Sequence, residues 1–157
     1  MLYIASDHAG LQIKNEIIEM LKDLGIMRVD MGPEYYNKED DYPLYALMLA
    51  EEVAANPQNR GILICGTGGG MCIAANKVKG IRAAEAESVK EAELIRAHND
   101  ANILILSKLC YDPVLYKEII NTWYKTPFSN DARHVRRINQ ISDYENGNTP
   151  RPASTQV

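Results

Sequence analysis

Gly61-Ile62-Leu63-Ile64-Cys65-Gly66-Thr67-Gly68-Gly69-Gly70-Met71 is the stretch that decides the fold. Its first five residues run apolar without polar alternation, as expected for a strand buried on both faces of a parallel sheet. Four glycines in the next five residues then permit positive φ and let a ligand approach bare backbone N–H groups, while a following helix N-terminus favours negative charge. The stretch therefore reads as strand, anion-binding turn and helix. It is not a Walker loop, because no Lys-Ser/Thr follows at the required spacing. It is not a dinucleotide fingerprint either, because Met71 and Ile73 occupy the two possible third-glycine positions. The competing reading is a plain tight turn.

The same alternation continues in both directions. Toward the N-terminus, Leu2 to Ala5 forms a short apolar run closed by Ser6-Asp7-His8. Ile13, Ile17, Leu21 and Leu24 then recur at helical spacing up to a helix-ending Gly25. Ile26 to Met31 is a second apolar-biased run, Gly32-Pro33 opens a polar loop, and helix resumes at Pro43. Toward the C-terminus, Ile81 to Ala84 and Ala101 to Leu106 supply two more runs, with Ser88 and Glu91 as a capping box between them. Asp112-Pro113 starts another helix. A last helix from about Asp131 to Tyr144 carries Val135, Ile138 and Ile141 on one face. These elements predict an α/β fold: a doubly wound sheet of five parallel strands, helices on both faces and a C-terminal helix, with ligands at the C-terminal ends of the strands. One domain is expected over residues 1–145, with a disordered tail over 146–157.

Composition agrees with a single compact domain. The chain has 157 residues, 46% hydrophobic and 24% charged, enough to bury roughly 70% of the surface its unfolded form exposes. A net charge of −4, from 17 basic against 21 acidic residues, supplies no basic surplus for a phosphate backbone, so no nucleic-acid partner is expected. Cys65, Cys72 and Cys110 fit neither a disulfide framework nor a paired zinc site. Reduced cytoplasmic thiols fit better. No long apolar segment suggests a membrane span or an export signal.

Several residues are candidates for chemistry. Cys65 ends the buried strand at the mouth of the glycine turn, where amide and helix-dipole fields are expected to lower its pKa and favour a basic or nucleophilic thiolate. His8 and His98 are both expected at the ligand edge of the sheet, converging on Cys65. Arg133 and Arg137, four apart, can project from one helix face as a phosphate clamp, although a solvated face is the competing reading. No ligand spacing for a metal is present.

These pieces resemble the type B ribose-5-phosphate isomerases, grouped with the two-subunit galactose-6-phosphate isomerases. The matching stretches are Ser6-Asp7-His8-Ala9-Gly10, Asp41-Tyr42-Pro43, Cys65-Gly66-Thr67-Gly68 with Gly70-Met71, Ala74-Ala75-Asn76-Lys77-Val78, Gly80-Ile81-Arg82-Ala83-Ala84, His98-Asn99-Asp100-Ala101-Asn102 and Arg133-His134 with Arg136-Arg137. They stand in the family's order from Met1 to about Glu145. The resemblance implies a Rossmann-like fold and metal-free, cofactor-free aldose–ketose isomerisation of a sugar phosphate. It also implies a homodimer or dimer of dimers with sites at the subunit interface.

Carried over residue by residue, the resemblance makes Cys65 the proton acceptor at substrate C2 and gives His98 ring opening and proton donation. Thr67 and the Gly66, Gly68, Gly69 and Gly70 turn would hold the enediolate oxygens. Asp7 and Asn99 would bind sugar hydroxyls and Tyr42 would line the pocket. His8 would bind phosphate with Arg133 and Arg137, the two arginines given by the partner chain. The implied reaction converts ribose 5-phosphate to ribulose 5-phosphate in the pentose phosphate pathway. A six-carbon substrate, allose or galactose 6-phosphate, is the alternative within the class, and a non-catalytic sugar-phosphate or nucleotide binding module is the alternative outside it. The chain departs from the family pattern at Glu85 to Ser88, at Asp131-Ala132 and at Gly69. Leu109 stands where many members place a ligand-contacting Arg, with Lys108 expected to point to the other face of a continuing strand.

Overall fold

The computed structural model describes residues 1–152. Five strands, β1 (Leu2–Ser6), β2 (Arg28–Asp30), β3 (Arg60–Cys65), β4 (Ala83–Glu85) and β5 (Ile103–Ser107), alternate with helices. The helices are α1 (Leu11–Asp23), α2 (Tyr42–Ala54), α3 (Gly69–Ala75), α4 (Val89–Asn99), α5 (Pro113–Lys125) and α6 (Ala132–Glu145). The strands form one sheet in the order β2-β1-β3-β5-β4, and every neighbouring pair is parallel.

The sequence of β3 and β5 explains the two-sided burial. Ile62, Ile64, Leu104 and Leu106 face one layer, where they pack with Ile13, Ile17 and Leu21 of α1 and with Tyr116, Ile120 and Trp123 of α5. Leu63, Cys65, Ile103 and Ile105 face the other, against Leu49 and Val53 of α2 and Met71 and Ala75 of α3. The period of two in a strand sends alternate apolar residues to opposite faces, so an unbroken apolar run serves both cores.

Local signals place most helix ends. Asp112 caps α5 by accepting from Leu115 N at 2.9 Å, with Pro113 as the first helical residue. Ser88 Oγ accepts from Glu91 N at 3.2 Å, while the returning Glu91 carboxylate takes Glu87 N at 2.8 Å, one residue before the cap. Gly25 follows α1 at φ 69°, a left-handed position that suits glycine. A buried Lys14 bonds both oxygens of Asp30 at 2.7 Å and the Pro33 carbonyl at 2.9 Å. It thereby ties α1 to the loop after β2.

Two elements differ from the sequence reading. The apolar stripe of α6 does not enter the core: Ile141 is exposed, Val135 and Ile138 are half-buried, and only His134 is buried. α6 touches α4 at the rim of the domain instead of packing on the sheet. The strand also stops at Ser107, where a 3₁₀ turn over Lys108–Cys110 redirects the chain. In the expected tail, Gly147 N and Asn148 N bond Tyr144 O and Asp143 O at 2.9 Å, and Lys79 bonds Asn146. Residues 149–152 have no regular secondary structure, and the remainder of that expectation, 153–157, lies outside the described residues.

Candidate active site

The chain leaves β1 toward α1 on one face of the sheet and leaves β3 toward α3 on the other. That divergence makes a crevice outside the carboxyl ends of two adjacent strands, the usual ligand position in an open parallel sheet. Ser6 pairs with Ile64, so the residues that follow this pair, Asp7-His8 after β1 and Cys65-Gly66 at the end of β3, emerge side by side.

Asp7 is buried, and both its oxygens are used. Oδ1 accepts from Gly10 N at 3.1 Å and Oδ2 accepts the thiol of Cys65 at 3.0 Å. The turn after Cys65 is held from β5, where Ser107 Oγ donates to Gly66 O at 3.1 Å. Gly68 has φ 81°, and a Cβ there would overlap the Glu85 carboxylate. A Cβ at Gly70 would stand 2.7 Å from the Tyr42 ring, so only glycine lets that ring close over the turn. Gly69 faces open space and Thr67 is exposed. His8 Nδ1 meets Asp40 Oδ1 at 2.5 Å, and Tyr36 stands edge-on to the imidazole at 5.8 Å. Asp7, His8, Tyr42, Cys65, Thr67 and Gly66 to Gly70 are thus brought to one edge.

The charge state expected for Cys65 is corrected by this geometry. The Gly66 and Gly68 N–H groups do favour the thiolate, as the turn suggested. Burial outweighs them, and the Asp7 carboxylate adds to it by accepting the thiol proton and repelling a second negative charge. The pKa is pushed up from 9.0 to about 11. In the isolated chain Cys65 is a thiol hydrogen-bonded to a carboxylate. Burial likewise raises Glu85, helped by Glu87 and Glu91.

The expected convergence of His98 on Cys65 is also corrected: within one chain neither His98 nor the adjoining Asn99 reaches that edge. They form the last turn of α4, which runs back against the strands, so they lie at the amino-terminal edge of the sheet. β3 has six residues, which separates the two edges by roughly 17 Å. At that far edge the His98 and His134 rings lie 4.3 Å apart, and Ser129 Oγ holds His134 Nδ1 at 2.7 Å. Burial, then the neighbouring His98 and Arg133, keeps His134 below the ordinary histidine value. A cavity of about 390 Å³ there is lined by His98, Asn99, His134 and Arg137 together with Arg82 and Asn76. Arg133 is exposed and does not line it, and its guanidinium stands 4.0 Å from Asp131.

The sequence reading assigned no role to Asp40, Tyr36 or His134. Asp40 and Tyr36 sit in a polar loop with no periodicity to mark them. Among the described residues no three His, Cys, Asp or Glu side chains gather as a metal-holding group, and no helix is long and apolar enough to cross a membrane.

A thiol and a glycine turn at the switch point of a doubly wound parallel sheet, with a remote basic helix, is an arrangement suited to acid–base chemistry on an anionic substrate. A family model described as "Ribose/Galactose Isomerase" matches residues 2–141, and the chain belongs to that family. It is 44% identical over 144 residues to a Mycoplasma pneumoniae protein named "Probable ribose-5-phosphate isomerase B", covering 92% of this chain and 94% of that one. It is 39% identical to the Mycobacterium tuberculosis (H37Rv) ribose-5-phosphate isomerase B, covering 92% and 89%. The solved Mycoplasma genitalium ribose-5-phosphate isomerase B with bound ribulose 5-phosphate superimposes with a TM-score of 0.87, at 45% identity over 92% of this chain and 95% of that one.

Proposed function

We propose that this chain is an aldose–ketose isomerase interconverting D-ribose 5-phosphate and D-ribulose 5-phosphate. One observation carries the reading: the Cys65 thiol, bonded to Asp7 at 3.0 Å, stands at the mouth of the glycine turn. It does so in a chain that is 45% identical to an isomerase solved with ribulose 5-phosphate.

The chemistry follows from the atoms present. His98 assists opening of the sugar ring. Asp7 Oδ2, already the acceptor of the thiol hydrogen, takes that proton as the Cys65 thiolate forms and removes the proton from C2. The C2–H electron pair becomes the C1=C2 double bond, and O1 takes up negative charge. The N–H groups of Gly66, Gly68, Gly69 and Gly70 and the Thr67 hydroxyl hold that charge. A proton returned to C1, with transfer of the O2 hydroxyl proton to O1, yields the ketose with no net change in atoms or electrons. Asn99 holds sugar hydroxyls and Tyr42 walls the pocket over Gly70. The steps use side chains and backbone of the protein alone, with no cofactor.

The two halves of this machinery lie on opposite edges of one chain, too far apart for a five-carbon sugar phosphate to bridge. A homodimer, paired further into tetramers or not, places the His98 edge of one protomer over the Cys65 edge of its partner. Arg133 and Arg137 then reach the phosphate across the interface, opposite His8. Such pairing accounts for the uncovered stripe of α6 and for the exposed Leu44, Leu47 and Met48 on α2 and Ile73 on α3, since apolar surface of this kind marks association. A reducing cytoplasmic setting belongs to this reading and suits three unpaired cysteines.

The test is the initial rate with ribose 5-phosphate, allose 6-phosphate and galactose 6-phosphate in EDTA. The highest kcat/KM is expected for ribose 5-phosphate. Conversion of only a six-carbon phosphate would replace the substrate, and conversion of none by folded protein would overturn the enzyme reading.

A further inference from the structure

A second cavity, of about 350 Å³, opens beside the Cys65 turn and is lined by His8, Ala9, Gln12, Asn15, Tyr36 and Lys108 together with Leu11. Lys108 reaches it because β5 ends at Ser107. Ser107 Oγ accepts from Leu109 N at 3.1 Å and starts the 3₁₀ turn. Had the strand continued, Lys108 and Leu109 would have alternated between the two faces of the sheet. The turn instead leaves Leu109 exposed, outside the cavity, and puts Lys108 on its wall.

β1 and β5 flank β3, so the segments that follow them stand roughly 10 Å apart, across the Cys65 turn. A lysine stem closes that gap. No carboxylate among the described residues pairs with the Lys108 ammonium. On the opposite wall Asp40 occupies His8 Nδ1, which fixes the ring and leaves Nε2 for a ligand. The first turn of α1 adds the positive end of a 13-residue helix to the same space.

We propose that Lys108 is a specificity-determining residue of the isomerase site, supplying from the chain's own side a cation that pairs with His8 on the substrate's phosphate. The assignment rests on the reading of the site as one for a phosphorylated sugar, and extends it to a residue where neither spacing nor motif pointed. Lys108 acts on binding and not on proton transfer: it contacts a phosphate remote from C1 and C2, and a contact made equally in ground and transition states changes KM with kcat unchanged.

The test compares wild type with Lys108→Met, Lys108→Arg and, as a control outside the cavity, Leu109→Ala. In Lys108→Met the KM for ribose 5-phosphate and the inhibition constant for inorganic phosphate are each expected to rise about tenfold, with kcat within about twofold of wild type. Lys108→Arg should recover both, and Leu109→Ala should change neither. Unaltered KM and phosphate inhibition in Lys108→Met would overturn the assignment. Calorimetric titration of wild type and Lys108→Met with inorganic phosphate separates this from the isomerase reading. Phosphate binding weakened about tenfold in Lys108→Met supports the subsite even if no sugar is turned over, and equal binding by both proteins refutes it.

Discussion

The thiol of Cys65 donates to the carboxylate of Asp7 across 3.0 Å, joining the ends of two adjacent strands. The pair contains a proton donor and the group able to take its proton, both buried. Added to burial, the larger cause, it helps the cysteine retain its proton. Each Asp7 oxygen already accepts one hydrogen bond, from Gly10 N and from Cys65, and keeps a second lone pair for a further donor.

Replacing Cys65 by Ala should leave a folded protein that binds ribulose 5-phosphate and loses about a thousandfold in kcat, within the usual contribution of a positioned base. Cys65→Ser restores a donor to Asp7, yet it should stay nearly as inactive because a hydroxyl is far less acidic than a thiol. Circular dichroism and product binding by calorimetry separate lost chemistry from lost structure. Turnover close to wild type in either variant would remove Cys65 from its role.

Asp7→Asn should make Cys65 easier to ionise. Burial remains, but the negative neighbour that repels the thiolate is gone, so a fall of about one unit in pKa is expected, near tenfold in thiolate at a given pH. Alkylation of Cys65 by iodoacetamide, followed by mass spectrometry from pH 7 upward, reads this directly. In wild type the reaction should climb toward a pKa of about 11, and in Asp7→Asn it should level off earlier. The linkage has a definite sign. The folded thiol holds its proton more tightly than the unfolded one, so its contribution to stability is complete below pH 9 and is lost as pH rises through about 11. Equal alkylation profiles would show that Asp7 does not govern the thiol.

Lys14→Ala should destabilise the fold by about 2 kcal/mol, because it strips Asp30 and the Pro33 carbonyl of a charged donor. Urea unfolding reads the change as a lower midpoint at constant slope. A midpoint equal to wild type would mean that solvent replaces the lysine without cost.

The layers of the fold were legible because β3 and β5 are apolar without interruption and the caps at Ser88 and Asp112 carry their signals locally. The glycine turn was legible for the same reason: its chemistry is written in consecutive residues. The location of His98 was not. Its closeness in sequence to the start of β5 suggested the ligand edge, yet a strand of a parallel sheet begins at the opposite edge from where Cys65 ends. The elevated thiol pKa escaped because it depends on burial, and on a carboxylate 58 residues away, outweighing the turn amides. Lys108 escaped because a single hydroxyl, Ser107 Oγ, ends the strand one residue before it.

The most direct test of the central claim, an isomerase site completed by two chains, mixes Cys65→Ala protein with His98→Ala protein after unfolding and refolding them together. Each variant alone should be nearly inactive with ribose 5-phosphate. Random pairing should restore about a quarter of the wild-type rate, because half the dimers are mixed and each of those has one intact site of two. A mixture no more active than its two components, at wild-type dimer content, would contradict the shared site.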